Sequence, residues 1–276
     1  MGPSNEAFVV TSYHNQMSEP EYSQQRQRKG IYLLPNLFTT GTLFGGFLAI
    51  VSAMNGNFSV AAMAILGATI ADALDGRIAR LTNTQTDFGK EYDSLCDMVA
   101  FGVATSVVIY AFSLHHLADY RWLGGKLGWV VAFTFTACTA LRLARFNVLA
   151  AIAGSNKDFF GLPSPAAAAV VTFFVWSATS MDLEGDALLL PATVLTAVIA
   201  LLMVSNFRYP SFKQVKLAER VPFAKLLIAV GVIVVVAINP PVVLFLTSFA
   251  YALSAPLASL WRWNQRRRVA VADPKD

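Results

Sequence analysis

Charge is what this sequence has least of. Only 14% of its 276 residues are Asp, Glu, Lys or Arg, against about 25% in an ordinary soluble domain. Hydrophobic residues make up 55%, and mean hydropathy is +0.53. That balance excludes a soluble globular domain and predicts a single polytopic membrane domain. Cysteine is almost absent. Cys96 and Cys138 both fall in apolar runs and show no disulfide or zinc spacing, so both read as small apolar residues. Of three histidines, His14 sits in a polar terminal stretch and His115 and His116 in a loop, which leaves none placed for catalysis. No basic stretch followed by a short apolar core and a cleavage site occurs, so no cleaved signal peptide is expected. Position 6 is Glu6, not the Ser or Thr that myristoylation of Gly2 would want. No convincing internal repeat is found, which argues against an ion-coupled transporter built from repeats. A net charge of +4 with a pI near 9.1 requires no nucleic-acid partner.

What the sequence has in abundance is apolar runs. They lie at roughly 31–54, 58–80, 90–113, 127–147, 162–180, 187–205, 222–239 and 241–260, each near the ~20 residues that cross a ~30 Å hydrocarbon core. The expected fold is all-α, a membrane helix bundle of about eight spans. Asn239-Pro240-Pro241 leaves a very tight turn between the last two. Residues 1–29 read as a polar tail ending in an interfacial anchor, Arg26, Arg28 and Lys29. Residues 30–205 read as the main membrane domain, 206–260 as an additional hairpin, and 261–276 as a basic tail. In that tail, Trp261 to Arg268 combines aromatics with cations, as suits anionic lipid headgroups. A simple stop-transfer flank explains it equally well.

Basic residues give an orientation. If the N-terminus is cytoplasmic, only Arg121 and Lys126 of the 21 lysines and arginines fall on the far side, and the far loop Met181–Asp186 is acidic. The asymmetry predicts both termini inside the cell.

Against that apolar background, one stretch stands out. Asp72 and Asp75 interrupt one apolar run, and Asp93 and Asp97 precede another. Ionisable groups at membrane depth are costly and mark functional sites. Asp72, Asp75, Gly76, Ala79 and Arg80 share one helical stripe, and Gly89, Asp93 and Asp97 share another. Two such helices packed antiparallel would converge four carboxylates, with the glycines allowing close approach. Four carboxylates repel unless cations lie between them. Two divalent metals would balance the charge, and hard oxygen ligands suit Mg²⁺, Mn²⁺ or Ca²⁺ over zinc. The bland alternative is a pair of helices carrying solvated acids at a membrane edge.

Two other stretches carry polar groups. Pro35-Asn36-Leu37-Phe38-Thr39-Thr40 opens the first span, where side chains could reach lipid phosphates or simply back-bond to the preceding turn. Arg142, Arg145 and Asn147 end the fourth apolar segment, ahead of Phe160 to Pro165. Arginines there either line a site or snorkel to the surface.

The spacing D-x2-D-G-x2-A-R-x8-G-x3-D-x3-D runs unbroken from Asp72 to Asp97. It resembles the signature of the CDP-alcohol phosphatidyltransferases, integral membrane enzymes of phospholipid synthesis. The blocks around Pro35, Arg142 and Pro163 extend the resemblance over about residues 31–175, toward the branch whose acceptor is L-serine. Beyond residue 205 nothing diagnostic is found. The resemblance implies a six-helix core, a homodimer, and a multi-pass place in the bacterial inner membrane with the site facing the cytoplasm. It implies that CDP-diacylglycerol donates its phosphatidyl group to an alcohol while CMP leaves. It further implies that Asp72, Asp75 and Asp93 hold metal at the donor's pyrophosphate, and that Asp97 is both ligand and general base. Gly76, Ala79 and Arg80, with Asn36 and Thr39, would hold the donor, and Arg142, Arg145 and Asn147 the acceptor. The acidic core leaves glycerol 3-phosphate, inositol phosphate and choline open as other acceptors.

Overall fold

Among the described residues, seven helices of sixteen residues or more follow from the apolar runs. The structure, a computed structural model, describes residues 19–81, 86–119, 126–153, 161–209, 231 and 234–272. In chain order they are α1 (Glu19–Met54), α2 (Phe58–Leu81), α3 (Asp87–Phe112), α4 (Leu127–Ala153), α5 (Ser164–Ser180), α6 (Leu189–Val204) and α7 (Pro240–Ala272). Among the described residues, five contain stretches long and apolar enough to cross a membrane: α1, α2, α3, α4 and α7. The chain is therefore an all-α, multi-pass membrane protein. The expected segment 222–239 lies for the most part outside the described residues.

α5 and α6 are shorter, at 17 and 16 residues, or about 25 Å at 1.5 Å per residue. α5 can fall short of the ~30 Å hydrocarbon core because protein encloses it. Its small residues, Ser164, Ala167, Ala168, Ser177 and Ala178, are buried along with Val170, Val171 and Val175. Helices α2, α3, α6 and α7 all pack on it. Small side chains permit such close contact where lipid supplies no hydrophobic drive between helices.

Two boundaries differ from the sequence expectation. α1 already begins at Glu19, inside the stretch read as tail, and α7 runs on past the membrane stretch Pro240–Ser259 to Ala272. Composition identifies polar sequence, but a polar stretch continuous with an apolar helix can extend it without a break.

The packing of the acid-bearing helices also differs from expectation. α1 packs against both α2 and α3, and the close glycine contacts belong to α1. A Cβ on Gly46 would lie 2.6 Å from Ala100 Cα, and one on Gly45 2.8 Å from the Ala64 carbonyl oxygen. At Gly76 a Cβ would meet nothing within 4 Å, and at Gly89 it would meet Thr86 and Asn36. Gly76 thus borders open space and does not serve as a packing notch against α3.

α3 is not uniform. It starts as an α-helix capped by Thr86, whose side chain accepts from Gly89 N at 3.0 Å. It widens into π-helical turns over Met98–Ala104, directly after Asp97, and resumes as α-helix from Thr105. π-turns leave carbonyls imperfectly paired. Here the Gly102 carbonyl accepts from Ser106 Oγ at 2.8 Å, and Ser106 in turn bonds Thr136 of α4 at 2.7 Å.

Candidate active site

α1 supplies the frame. Asn36, Thr39 and Thr40 stand at i, i+3 and i+4, so they share one face of the helix. Thr39 Oγ1 donates to Asp75 Oδ2 at 2.8 Å, with both residues buried. Thr40 Oγ1 lies 3.0 Å from the Tyr92 hydroxyl on α3, and Asn36 Oδ1 faces Gly89. One polar stripe therefore ties the acid end of α2 to the acid end of α3.

Within that frame the acids converge. Asp72, Asp75 and Asp93 each offer a carboxylate oxygen, and these atoms lie within 4.8 Å of one another. Asp97, one helical turn beyond Asp93, is buried and within electrostatic reach of Asp72, Asp93 and Asp75. Oδ1 of Asp93 and Oδ1 of Asp97 are buried without a hydrogen-bond partner. A buried acceptor normally finds a donor, so two orphaned carboxylate oxygens beside other carboxylates fit a cation. The donor set is all oxygen, as a hard divalent ion requires. These residues can hold one.

α4 closes another side. Arg142 is partly buried and donates from Nη1 to Ser164 Oγ at the start of α5. Its guanidinium is in electrostatic reach of Asp97 and Asp72, the counter-charge that a buried acidic group requires. Arg145 points elsewhere: Nη2 donates to Asn206 Oδ1 at 2.8 Å and Nη1 to the Val204 carbonyl at 3.4 Å. Asn147 Nδ2 donates to Ser94 Oγ at 2.9 Å, next in sequence to Asp93. The three residues expected at an acceptor pocket thus engage three different elements. Of these, Arg142 is in electrostatic reach of the carboxylates.

The position of Ser164 depends on a glycine. Gly161 has φ +81°, and a Cβ there would collide with the Met203 carbonyl. Gly161 N donates to the Phe207 carbonyl at 2.9 Å and Leu162 N to the Leu202 carbonyl at 3.0 Å. These bonds lock the entry of α5 to the end of α6, and Ser164 beside Arg142. Tyr92 and Ser94 were not singled out by sequence reasoning as site groups, whereas Ser164 fell within the stretch Phe160 to Pro165 noted after Arg142, Arg145 and Asn147. A hydroxyl beside an acid on a helix has no spacing signature of its own. The side chains of Ala79 and Arg80 lie outside the described residues. Cys96 and Cys138 are buried free thiols, as expected.

Apolar spanning helices around an acid cluster, with an arginine at its edge, define a multi-pass membrane protein whose acids can hold a divalent metal. The chain matches the family model for CDP-alcohol phosphatidyltransferase over residues 32–204, and it belongs to that family. Among its relatives, the CDP-diacylglycerol–serine O-phosphatidyltransferase of Helicobacter pylori is 42% identical over 189 residues, covering 67% of this chain and 75% of the relative. A protein of the same description from Methanocaldococcus jannaschii is 35% identical over 182 residues, covering 66% and 76%. The archaetidylserine synthase of Methanothermobacter thermautotrophicus is 33% identical over 179 residues, covering 64% and 69%.

Proposed function

We propose that this protein transfers the phosphatidyl group of CDP-diacylglycerol to L-serine, giving phosphatidylserine and CMP. The observation that carries the reading is the gathering of Asp72, Asp75 and Asp93, with buried Asp97 and Arg142 in electrostatic reach, in a chain whose relatives bear that activity in their names.

In this reading Asp72, Asp75, Asp93 and Asp97 hold two divalent cations, Mg²⁺ or Mn²⁺, with Ca²⁺ able to occupy the same oxygens. Bound there, such ions supply charge neutralisation for the donor's pyrophosphate and the departing CMP. Asp97 takes the proton of the serine hydroxyl, because a serine hydroxyl is a poor nucleophile at neutral pH and a carboxylate beside the phosphorus can act as base. The new bond joins serine Oγ to the phosphatidyl phosphorus, and the bond from that phosphorus to the CMP oxygen breaks. Open space beside Gly76 leaves room for the donor's nucleotide along α2. Arg80 pairs with phosphate through its planar fork. Thr39, through Asp75, and Asn36, beside Gly89, brace the donor side. Arg142 receives the serine carboxylate, and Arg145 and Asn147 support that side from the end of α4.

The charge asymmetry supports a site and both termini facing the cytoplasm of a bacterial inner membrane, where water-soluble serine arrives. The family resemblance supports a homodimer, with residues 30–205 as the transferase domain and 206–260 as an added hairpin. The test is purified protein with CDP-diacylglycerol and a panel of acceptors, with CMP release and the lipid formed as readouts. Serine-dependent phosphatidylserine is expected. Glycerol 3-phosphate, inositol phosphate or choline outcompeting serine would refute the named acceptor.

A further inference from the structure

α3 is gripped at both ends by contacts that fix its rotation. At the acid end, the Tyr92 hydroxyl lies 3.0 Å from Thr40 Oγ1 of α1, and Ser94 Oγ accepts from Asn147 Nδ2 of α4 at 2.9 Å. At the far end, the Phe112 ring meets Phe58 edge-on with centroids 5.3 Å apart, and Ser113 Oγ, just past the helix, donates to the Gly185 carbonyl. The π-turns over Met98–Ala104 lie between these grips. An α-helix turns about 100° per residue, and a π-turn closes on residue i+5 and so takes in one residue more than an α-turn. The π-turns therefore set how the acid end is rotated against the far end.

Gly102 is where these turns are tied. Its carbonyl accepts from the Thr105 N–H and from Ser106 Oγ at 2.8 Å. Serine back-bonding within a helix is common and by itself relieves only one carbonyl. Here a second helix joins in. Thr136 Oγ1 of α4 lies 2.7 Å from Ser106 Oγ and donates to the same Gly102 carbonyl at 3.5 Å. Ser106 is buried, so water is no ready substitute. Asp97 stands immediately before the π-turns. Asp93 is flanked by Tyr92 and Ser94, each bonded to another helix, whereas Asp97 lies three residues beyond Ser94. Its Oδ1 is buried without a hydrogen-bond partner. The direction of the Asp97 carboxylate is thus governed by the turns that follow it.

We propose that Ser106 and Thr136 are positioning residues for Asp97: by tying the Gly102 carbonyl they hold the π-turns, and the π-turns aim the carboxylate into the acid cluster. The proposal rests on the reading of Asp97 as base for the acceptor hydroxyl. Loss of the π-turns has a geometric signature. If they relaxed to α-helix with the far end fixed, one residue fewer would fit the path, and each residue of the acid end would move into its predecessor's place. Asp97 would take the place of Cys96. Cys96, now 1% exposed, would take the place of Leu95, now 67% exposed.

The test combines Ser106→Ala with Thr136→Val, which removes both hydroxyls and leaves the side chains otherwise similar in shape. A misplacement of about 1 Å caused far from the chemistry can cost about 10²-fold, so kcat should fall by about 10–100-fold. The KM for CDP-diacylglycerol and the metal concentration for half-maximal CMP release should stay within about threefold, because Asp93 keeps its flanking bonds. Thr136→Ser retains a donor and should stay within about threefold of wild type. Thr134→Val is the control, since that hydroxyl returns to the Val130 carbonyl of its own helix, and kcat should not change. In an Asp97→Asn background the double substitution should alter kcat by less than about twofold, because its effect runs through that carboxylate. A second readout needs neither metal nor turnover. In metal-free protein carrying Cys138→Ala, N-ethylmaleimide should label Cys96 several times faster when both hydroxyls are removed, and no faster with Thr134→Val. Unchanged kcat in the double variant overturns the proposal, and so does unchanged labelling of Cys96. A parallel loss of kcat, donor affinity and metal response also overturns it, since that marks the pair as merely structural. Should the double variant not fold, Thr136→Val alone carries both readouts under the same criteria. An Asp97→Asn variant that keeps more than about a tenth of the rate refutes the base assignment and this proposal with it. Full impairment there beside an unaltered double variant refutes this proposal alone.

Discussion

Replacing Thr39 with valine removes one hydroxyl and leaves the packing almost untouched. In the structure that hydroxyl donates to Asp75 Oδ2 at 2.8 Å, and both residues are only 4% exposed. Water cannot easily substitute there. A hydrogen bond to a charged group is worth about 1.5–3 kcal/mol, roughly 10–150-fold in an equilibrium constant. Groups that orient a metal-ligating carboxylate typically govern 10–100-fold in metal affinity or activity. The two ranges overlap, so Thr39→Val should raise the Mg²⁺ or Mn²⁺ concentration for half-maximal CMP release by about 10–100-fold. At saturating metal, kcat should return to within about threefold, because the valine variant keeps all four carboxylates. Thr39→Ser retains a donor and should stay within about threefold of wild type across the titration. A valine variant whose metal titration overlays wild type would refute the view that α1 holds Asp75 in ligating geometry. So would a serine variant as impaired as valine.

Other outcomes test other parts of the molecule. Asp97→Asn should leave donor binding largely intact and cut turnover by on the order of 10²–10⁴-fold, whereas Asp93→Asn should abolish activity by weakening metal binding. Retention of more than about a tenth of the rate in Asp97→Asn would exclude it as the base. Gly46→Ala forces a methyl toward Ala100 Cα. It should cost about 1–3 kcal/mol, read as a lower midpoint of thermal unfolding in detergent. Gly67→Ala, where nothing lies within 4 Å, is the control that should not lose stability. Single cysteines at positions 84 and 213 should be shielded from a membrane-impermeant reagent in intact cells, and one at 184 should react. External labelling at 84 would reverse the orientation.

Hydropathy made the helices legible because nearly every described one is a long apolar run, and the acids stood out because they interrupt such runs. Helical spacing put Asp72 and Asp75 on one stripe and Asp93 on another, and the convergence of the three followed once the two helices were expected to pack together. What held those acids together was not. Spacing within α2 and α3 suggested direct glycine-mediated contact, but α1 mediates it through Thr39, Thr40 and Asn36. Helical periodicity reports which residues share a face and says nothing about which neighbour that face meets. The same gap explains Arg142 and Arg145. They lie three positions apart on one helix, yet one is in reach of the acids and the other grips Asn206. The π-turns after Asp97 left no mark in the sequence either, because Met98–Ala104 reads as ordinary apolar helix.

Arg142 also imposes an order on synthesis. The ribosome completes all four aspartates 45 residues before it adds Arg142, which lies in reach of Asp72 and Asp97. At roughly 5–20 residues per second that interval lasts about 2–9 seconds. Throughout it, a helical hairpin bearing clustered acids stands at the membrane without Arg142. Its lowest-energy resting place is at the wet boundary, with the carboxylates hydrated or bridged by cations. It can settle to depth once α4 has emerged, and α7 closes the bundle last. A force-sensitive arrest peptide placed at successive points along the chain would register that settling as a pull when α4 clears the exit tunnel, and Arg142→Ala would weaken it.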